Sequence, residues 1–118
     1  MNEAAEFLLT MLHAATNTHL LHWTTKSFPQ HEALGKFYTK LPELVDKLAE
    51  SMMGKYDTTP TFPVTYHAPD KTAKEELEAL KDYVEEERKS LPQDSEIQNL
   101  VDEIASLINE TLFLLKFE

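Results

Sequence analysis

Cysteine is missing from this chain of 118 residues, which excludes disulfides, thiolate metal sites and a cysteine nucleophile, and fits a reducing compartment. Glycine occurs twice and proline six times, and no Gly-rich phosphate loop or Gly-x-Ser-x-Gly elbow is present, so nucleotide hydrolysis and acyl transfer have no residues to carry them. Basic residues are few: 11 Lys and Arg stand against 21 Asp and Glu, a formal net charge of -10. Duplex binding needs clustered Lys and Arg to neutralise phosphates, so direct DNA binding is not expected. No apolar run approaches the roughly 20 residues of a membrane span. The opening Met1-Asn2-Glu3-Ala4-Ala5-Glu6 lacks the basic flank and apolar stretch of a signal peptide. A cytoplasmic protein without membrane contact is the expectation. Strand-like alternation, low-complexity tracts and internal repeats are also lacking.

What is present is helical periodicity. With 42% hydrophobic residues, the chain is long enough for one domain over residues 1–118 and no second core, and oligomerisation would help to cover leftover apolar surface. Phe7, Met11, Ala14, Ala15, Thr18 and Leu21 recur at spacings of three and four, predicting a first helix from about residue 3 to Thr24. Phe28 and Pro29 read as a short connection. Leu34, Phe37, Tyr38, Leu41, Val45, Leu48 and Met52 predict a second helix from about Gln30 to Met53, stopped at Gly54 and kinked near Tyr38 to Leu41 by Pro42. Residues 54–70, rich in Thr, Pro and aromatics, read as an ordered crossover. Thr72-Ala73-Lys74-Glu75 is a capping box that opens a third helix with a stripe of Leu77, Leu80, Val84 and Leu91. Ser95-Glu96-Ile97-Gln98 opens a fourth, with Ile97, Leu100, Val101, Ile104, Ile108, Leu112 and Leu115 inward. The expected fold is all-α, a four-helix bundle with a long crossover between helices two and three.

Histidine placement carries the chemistry. His19 and His22 share a helix face beside Trp23, the single tryptophan, and His31 opens the second helix. Further along that helix Asp46 and Glu50 lie one turn apart. Imidazole with carboxylate suits iron, manganese or zinc. The same residues have plain structural readings, as polar groups near a helix end and a solvated acidic face. Geometry adds a condition: fifteen residues of helix separate His31 from Asp46 by about 22 Å at 1.5 Å per residue. One chain cannot bring them to one metal. Sharing requires the second helices of two chains to pair antiparallel about a twofold axis, with His22 and His31 of one beside Asp46 and Glu50 of the other.

The run Thr18-His19-Leu20-Leu21-His22-Trp23, then Phe28, His31-Glu32, Asp46 and Glu50 resembles the signature of the Dps family (DNA protection during starvation) of the ferritin-like superfamily. The resemblance spans about residues 18–53. It implies a ferritin-like fold, an iron-binding, ferroxidase-type centre shared between subunits, His22 and His31 as ligands from one subunit, and Asp46 and Glu50 from the next. His19 would be an accessory histidine, and Trp23 would pack beside the site. It also implies a homodimer or larger homo-oligomer. Departures are specific: that family carries a further Asp one turn after the second histidine, where Gly35 stands, the loop before His31 is short, and the Lys-rich DNA-holding tail is absent. The ordinary intramolecular di-iron bundle needs Glu-x-x-His on two helices, and no histidine here has Glu three residues before it. His31-Glu32-Ala33-Leu34-Gly35 with Gly54-Lys55-Tyr56 also resembles small ferritin-like proteins encoded by bacteriophages.

An alternative of a different class is a non-enzymatic, acidic helical interaction protein, for example a viral modulator of a host protein. It would keep the scaffold without metal chemistry and present Glu85-Glu86-Glu87 to a basic partner. His13 and His67 have no ligand-spaced partners, and the tyrosines read as packing groups with a polar tip.

Overall fold

The computed structural model describes residues 2–117. Its elements are α1 (Asn2–Thr24), α2 (Phe28–Tyr56), α3 (Ala73–Glu87), a 3-10 turn at Arg88–Ser90, and α4 (Ser95–Leu114). No strand occurs among the described residues. The third helix opens as its sequence predicts: Thr72 Oγ1 accepts from the Glu75 backbone N–H (3.2 Å), and Glu75 Oε1 accepts from the Thr72 N–H (3.2 Å). Two donors of the first turn, which no helical carbonyl can reach, are thereby satisfied.

The second helix departs from its predicted bounds at both ends. It begins at Phe28 because Ser27 caps it, accepting from the Gln30 N–H at 3.3 Å. Pro29 lies in the first turn, where a missing N–H costs nothing and a fixed φ suits the helix. At the other end the helix runs past Gly54 to Tyr56 and stops at Asp57, whose backbone is left-handed (φ 49°, ψ 52°) and whose N–H bonds the Met53 carbonyl. Asp, like Asn, can adopt that conformation. The helix is continuous through Pro42, so the expected kink does not divide it. Leu41, Leu44 and Val45 around the proline are all buried, and their packing holds the segment across the lost hydrogen bond. The fourth helix is preceded by Asp94 rather than capped by Ser95. Gln98 does not close a capping box: its amide donates to the Arg88 carbonyl (3.2 Å) and the Pro92 carbonyl (3.0 Å), fastening the α3–α4 connection.

Contacts at the helix ends set the topology. The first turn of α2 meets the end of α4 through Gln30 Nε2 donating to the Leu115 carbonyl (3.4 Å), and the last turn meets the start of α4 through Lys55 with Asp94 (3.7 Å) and Glu96 (3.8 Å). Those two helices are antiparallel. Phe7, near the start of α1, stacks on Tyr83, near the end of α3 (6.0 Å), and α1 and α2 are joined by a short turn. With α2 packed on α1 and α4, and α3 on α4 and α1, α2 and α3 lie across a diagonal and run parallel. Residues 57–72 therefore have to return from one end of the molecule to the other. They do so along α1, where Tyr66 Oη donates to Asn17 Oδ1 (2.6 Å) and Asn17 Nδ2 donates to the His67 carbonyl (3.0 Å).

One core fills the space between the helices. Phe7, Met11, Leu34, Phe37, Leu41, Leu48, Met52, Leu77, Ile97, Ile104 and Ile108 are almost fully buried, the positions that the helical periodicity selects. Leu100, Leu112 and Leu21 are half-buried against it. Thr18 and Thr111, the buried polar residues, donate to carbonyls one turn back, at Ala14 (2.8 Å) and Leu107 (2.8 Å). No helix is long and apolar enough to cross a membrane among the described residues.

Three outcomes are expected. Phe37→Ala lowers unfolding free energy by about 3–5 kcal/mol, as large-to-small changes at fully buried aromatic sites do, and Thr72→Ala by ~1 kcal/mol through the lost cap, both read from urea midpoints. Hydrogen bonds from the Thr72 backbone and side chain hold the Glu75 carboxyl below its ordinary value of 4.5. The stabilisation it brings is full above that ordinary value and fades as pH falls through the lower folded value. Glu75→Gln removes this part of the acid loss, measured as a shallower decline of stability below about pH 4.5.

Candidate functional site

The last turn of α1 and the first turns of α2 form a corner, and His22 and His31 close it. His22 Nδ1 lies 2.6 Å from the His31 carbonyl, and His31 Nδ1 lies 2.7 Å from the His22 carbonyl. A carbonyl oxygen only accepts, so each Nδ1 carries the proton and donates. The reason lies in the local sequence: the carbonyls in the final turn of a helix have no N–H ahead of them, and the short turn brings His31 back over that of His22. The two rings stack at 3.7 Å with 18° between their planes. Both Nδ1 atoms being engaged, the lone pairs of the neutral rings are on Nε2. Metal-ligating histidines are typically oriented in this way, with the other ring nitrogen donating to a carbonyl or carboxylate.

A series of rings continues from this pair. Tyr38, one turn beyond Gly35 on α2, lies 5.2 Å from His22 and stacks face to face on His19 at 3.9 Å. Trp23 leans on His19 at 4.6 Å and is 66% exposed. The ring contact of Trp23 is with His19. Phe28, also largely exposed, flanks His31 at 6.3 Å. Tyr38 packs, as expected, but against His19 and beside His22. Its spacing of seven from His31 put it on the site face, a signal that the sequence contains and that residue type alone does not reveal.

Gly35 forms the floor. A Cβ at this position would meet His22 Cε1 at 3.1 Å and Nδ1 at 3.4 Å, so the His22 ring packs closely over Gly35. Any side chain there would press on the ring, and glycine lets it sit this close. The result is a cleft of about 440 Å³ lined by His22, Glu32, Gly35, Lys36, Thr39, Lys40 and Glu43, running along the outer side of α2.

Asp46 and Glu50 are exposed, further along the same helix. With α2 unbroken from Phe28 to Tyr56, they stay about 22 Å or more from His31 at 1.5 Å per residue. Among the described residues no group of three or more His, Asp or Glu stands close enough to hold a metal ion. The chain brings the two histidines together and leaves the two carboxylates apart from them. His13 packs edge-on against Tyr66 at 5.0 Å where the crossover is fastened to α1. In the acidic run, Glu85 faces Arg88 (3.9 Å) and Glu86 faces Lys89 (3.2 Å), so part of its charge is met within the same helical turn.

Tautomer assignment by nitrogen NMR tests the corner. At a pH where the imidazoles are neutral, both His22 and His31 are expected as Nδ1–H forms, and His31→Ala should release His22 to the Nε2–H form usual for a free imidazole. Nε2–H in the intact chain would contradict the reciprocal hydrogen bonds.

With this geometry in place, the comparisons with known proteins can be read. The model of a family of unknown function, DUF5856, matches residues 22–115, a span that begins at His22 and contains His31, Gly35, Asp46 and Glu50. The chain is 30% identical over 121 residues to the uncharacterized 14.6 kDa protein in the mobD-ri intergenic region of Enterobacteria phage T4, covering 99% of this chain and 91% of that protein. No solved structure matches. Neither match carries the name of the Dps family, whereas a phage relative agrees with the resemblance to small phage-encoded proteins. The chain belongs to the DUF5856 family.

Proposed function

We propose that this DUF5856 chain is a Dps-like, ferritin-like four-helix protein that binds iron between two copies of itself, with His22 and His31 supplied by one copy and Asp46 and Glu50 by the other. The observation that carries this reading is the reciprocal hydrogen bonding of His22 and His31, which places both protons on Nδ1 and leaves two Nε2 lone pairs at one corner. Two neutral imidazoles are half of an imidazole–carboxylate shell. The other half is the exposed Asp46 and Glu50 pair, which one unbroken helix keeps out of reach of its own histidines. The parallel diagonal of α2 and α3, joined by one long crossover, is the connectivity of ferritin-like bundles.

Ferrous iron is the substrate or cargo in this reading, with manganese or zinc able to occupy the same donors. The two imidazoles would hold it without adding charge, and the partner's Asp46 and Glu50 carboxylates would supply the negative charge that a dication needs. His19 and Tyr38 would fix the His22 ring by packing against it. Gly35 in place of a carboxylate removes one donor, so affinity should be lower than a five-ligand set would give. A protein-binding role for the acidic run of α3 has less support, because Arg88 and Lys89 already face Glu85 and Glu86.

The test is anaerobic titration of ferrous ion into metal-free protein, followed by admission of oxygen or peroxide with the ferric absorbance recorded. Saturable binding is expected, weakened about 100-fold or more by His22→Ala with His31→Ala, in line with loss of about 3 kcal/mol of ligand interaction. Asp46→Asn with Glu50→Gln should weaken it comparably. Unchanged stoichiometric binding in either double variant would overturn the assignment. Gly35→Asp is expected to tighten binding by returning a carboxylate to the ring, at some cost in stability from the 3.1 Å approach to His22.

A further inference from the structure

The outer face of α2 carries charges in an order that reads the same from either end once signs are matched. Glu32, Lys36, Glu43 and Lys47 lie at spacings of four, seven and four, which places them on one strip of the helix. All four are exposed. Glu43 reaches only the neighbouring Lys40, at 3.3 Å within its own turn. Laid against an antiparallel copy, Glu32 meets Lys47 and Lys36 meets Glu43, and the symmetry repeats both pairs. The midpoint of each pair falls between Thr39 and Lys40. A second strip on the same face holds His31, Gly35, Asp46 and Glu50, and the midpoint between His31 and the centre of the Asp46–Glu50 pair falls at the same point.

We infer that the Glu32–Lys36–Glu43–Lys47 strip is the register-setting contact by which α2 pairs antiparallel with α2 of a second copy of this chain. A twofold axis perpendicular to both helices carries each strip onto the same strip of the partner. Charges therefore meet charges along one side of the seam while histidines meet carboxylates along the other. The centre of the seam suits close approach. Thr39 is short and turns its hydroxyl back to the Gly35 carbonyl (2.8 Å), and Gly35 has no side chain. The cleft lined by Gly35, Lys36, Thr39, Lys40 and Glu43 runs through this point. The reverse pairing is disfavoured: two parallel α2 helices in register would set each of these charges against its own like.

The inference rests on the reading of α2 as the helix shared between copies, but it draws on different residues from the metal donors, and it can be tested without metal. Association of chelator-treated full-length protein is measured by sedimentation. Lys36→Glu is expected to raise the dimer dissociation constant about tenfold or more, since it converts two attractions into two like-charge contacts. Combining it with Glu43→Lys should restore association to near the original value. Lys81→Glu, the same change of net charge at an exposed position of α3, should leave association nearly unchanged. An independent check of register uses the lack of native cysteine: Thr39→Cys, beside the proposed axis, should form an interchain disulfide on mild oxidation, and Thr59→Cys in the crossover should not.

A chain that stays monomeric, a Lys36→Glu variant that associates like the original, or a double variant that gains nothing over the single one would overturn the inference. So would a dimer in which Thr39→Cys fails to cross-link. Stoichiometric iron binding with no effect of Lys36→Glu on association would sink the charge register alone. A restored charge-swap dimer that binds no iron would sink the metal reading alone.

Discussion

An unbroken helix is a ruler, and the length of α2 is the constraint from which the rest follows. At 1.5 Å per residue, its unbroken run from Phe28 to Tyr56 holds the histidine corner and the carboxylate pair at opposite ends of one face. Nothing within the chain can shorten that distance, because α2 is pinned at both ends to α4, through Gln30 with the Leu115 carbonyl and Lys55 with Asp94. Its buried face, from Ala33 to Met52, forms the middle of the core. Any chemistry that uses both groups has to come from two copies.

The corner itself is inexpensive to build. Carbonyls at the end of α1 need donors, and the imidazole of His31 supplies one, while His22 returns a donor to α2. Stacking of His22 on His31 and of His19 on Tyr38 fixes ring orientation with groups that also tie the two helices together. A purely structural pair would accomplish the same tie. What distinguishes the metal proposal is that the Nε2 lone pairs are left unused, and that the His22 ring, packed over Gly35, lines the outer cleft.

Much of the fold was legible in the sequence, because the period of its apolar residues is unambiguous, glycine is scarce, and only Pro42 falls in the interior of a helix. Four helices, the crossover, the capping box at Thr72 and most core positions follow from that pattern. The misread points are all local. Phe28 and Pro29 read as a connection, whereas the Ser27 cap makes them the first helical turn. Gly54 had the right character for a stop, yet Asp57 took the left-handed conformation. Pro42 removes one hydrogen bond without ending the helix, with the buried Leu41, Leu44 and Val45 packed around it. At the site, His22 and His31 were identifiable as neighbours, but their reciprocal bonding to each other's carbonyls was not, since it depends on the turn geometry of residues 25–27. Trp23 could be placed near the site, though not its exposure or its ring contact with His19.

Complementation between two defective chains addresses the central proposal most directly. One variant lacks His22 and His31 (both changed to Ala); the other lacks Asp46 and Glu50 (changed to Asn and Gln). Each alone is expected to bind ferrous ion at the site about 100-fold or more less tightly than the original chain. Mixed and allowed to exchange subunits, they should recover saturable binding, since every mixed pair joins the histidines of one chain to the carboxylates of the other at one of its two corners. Failure of a verified mixed dimer to recover any binding, or full binding by either variant alone, would contradict a site shared between two copies.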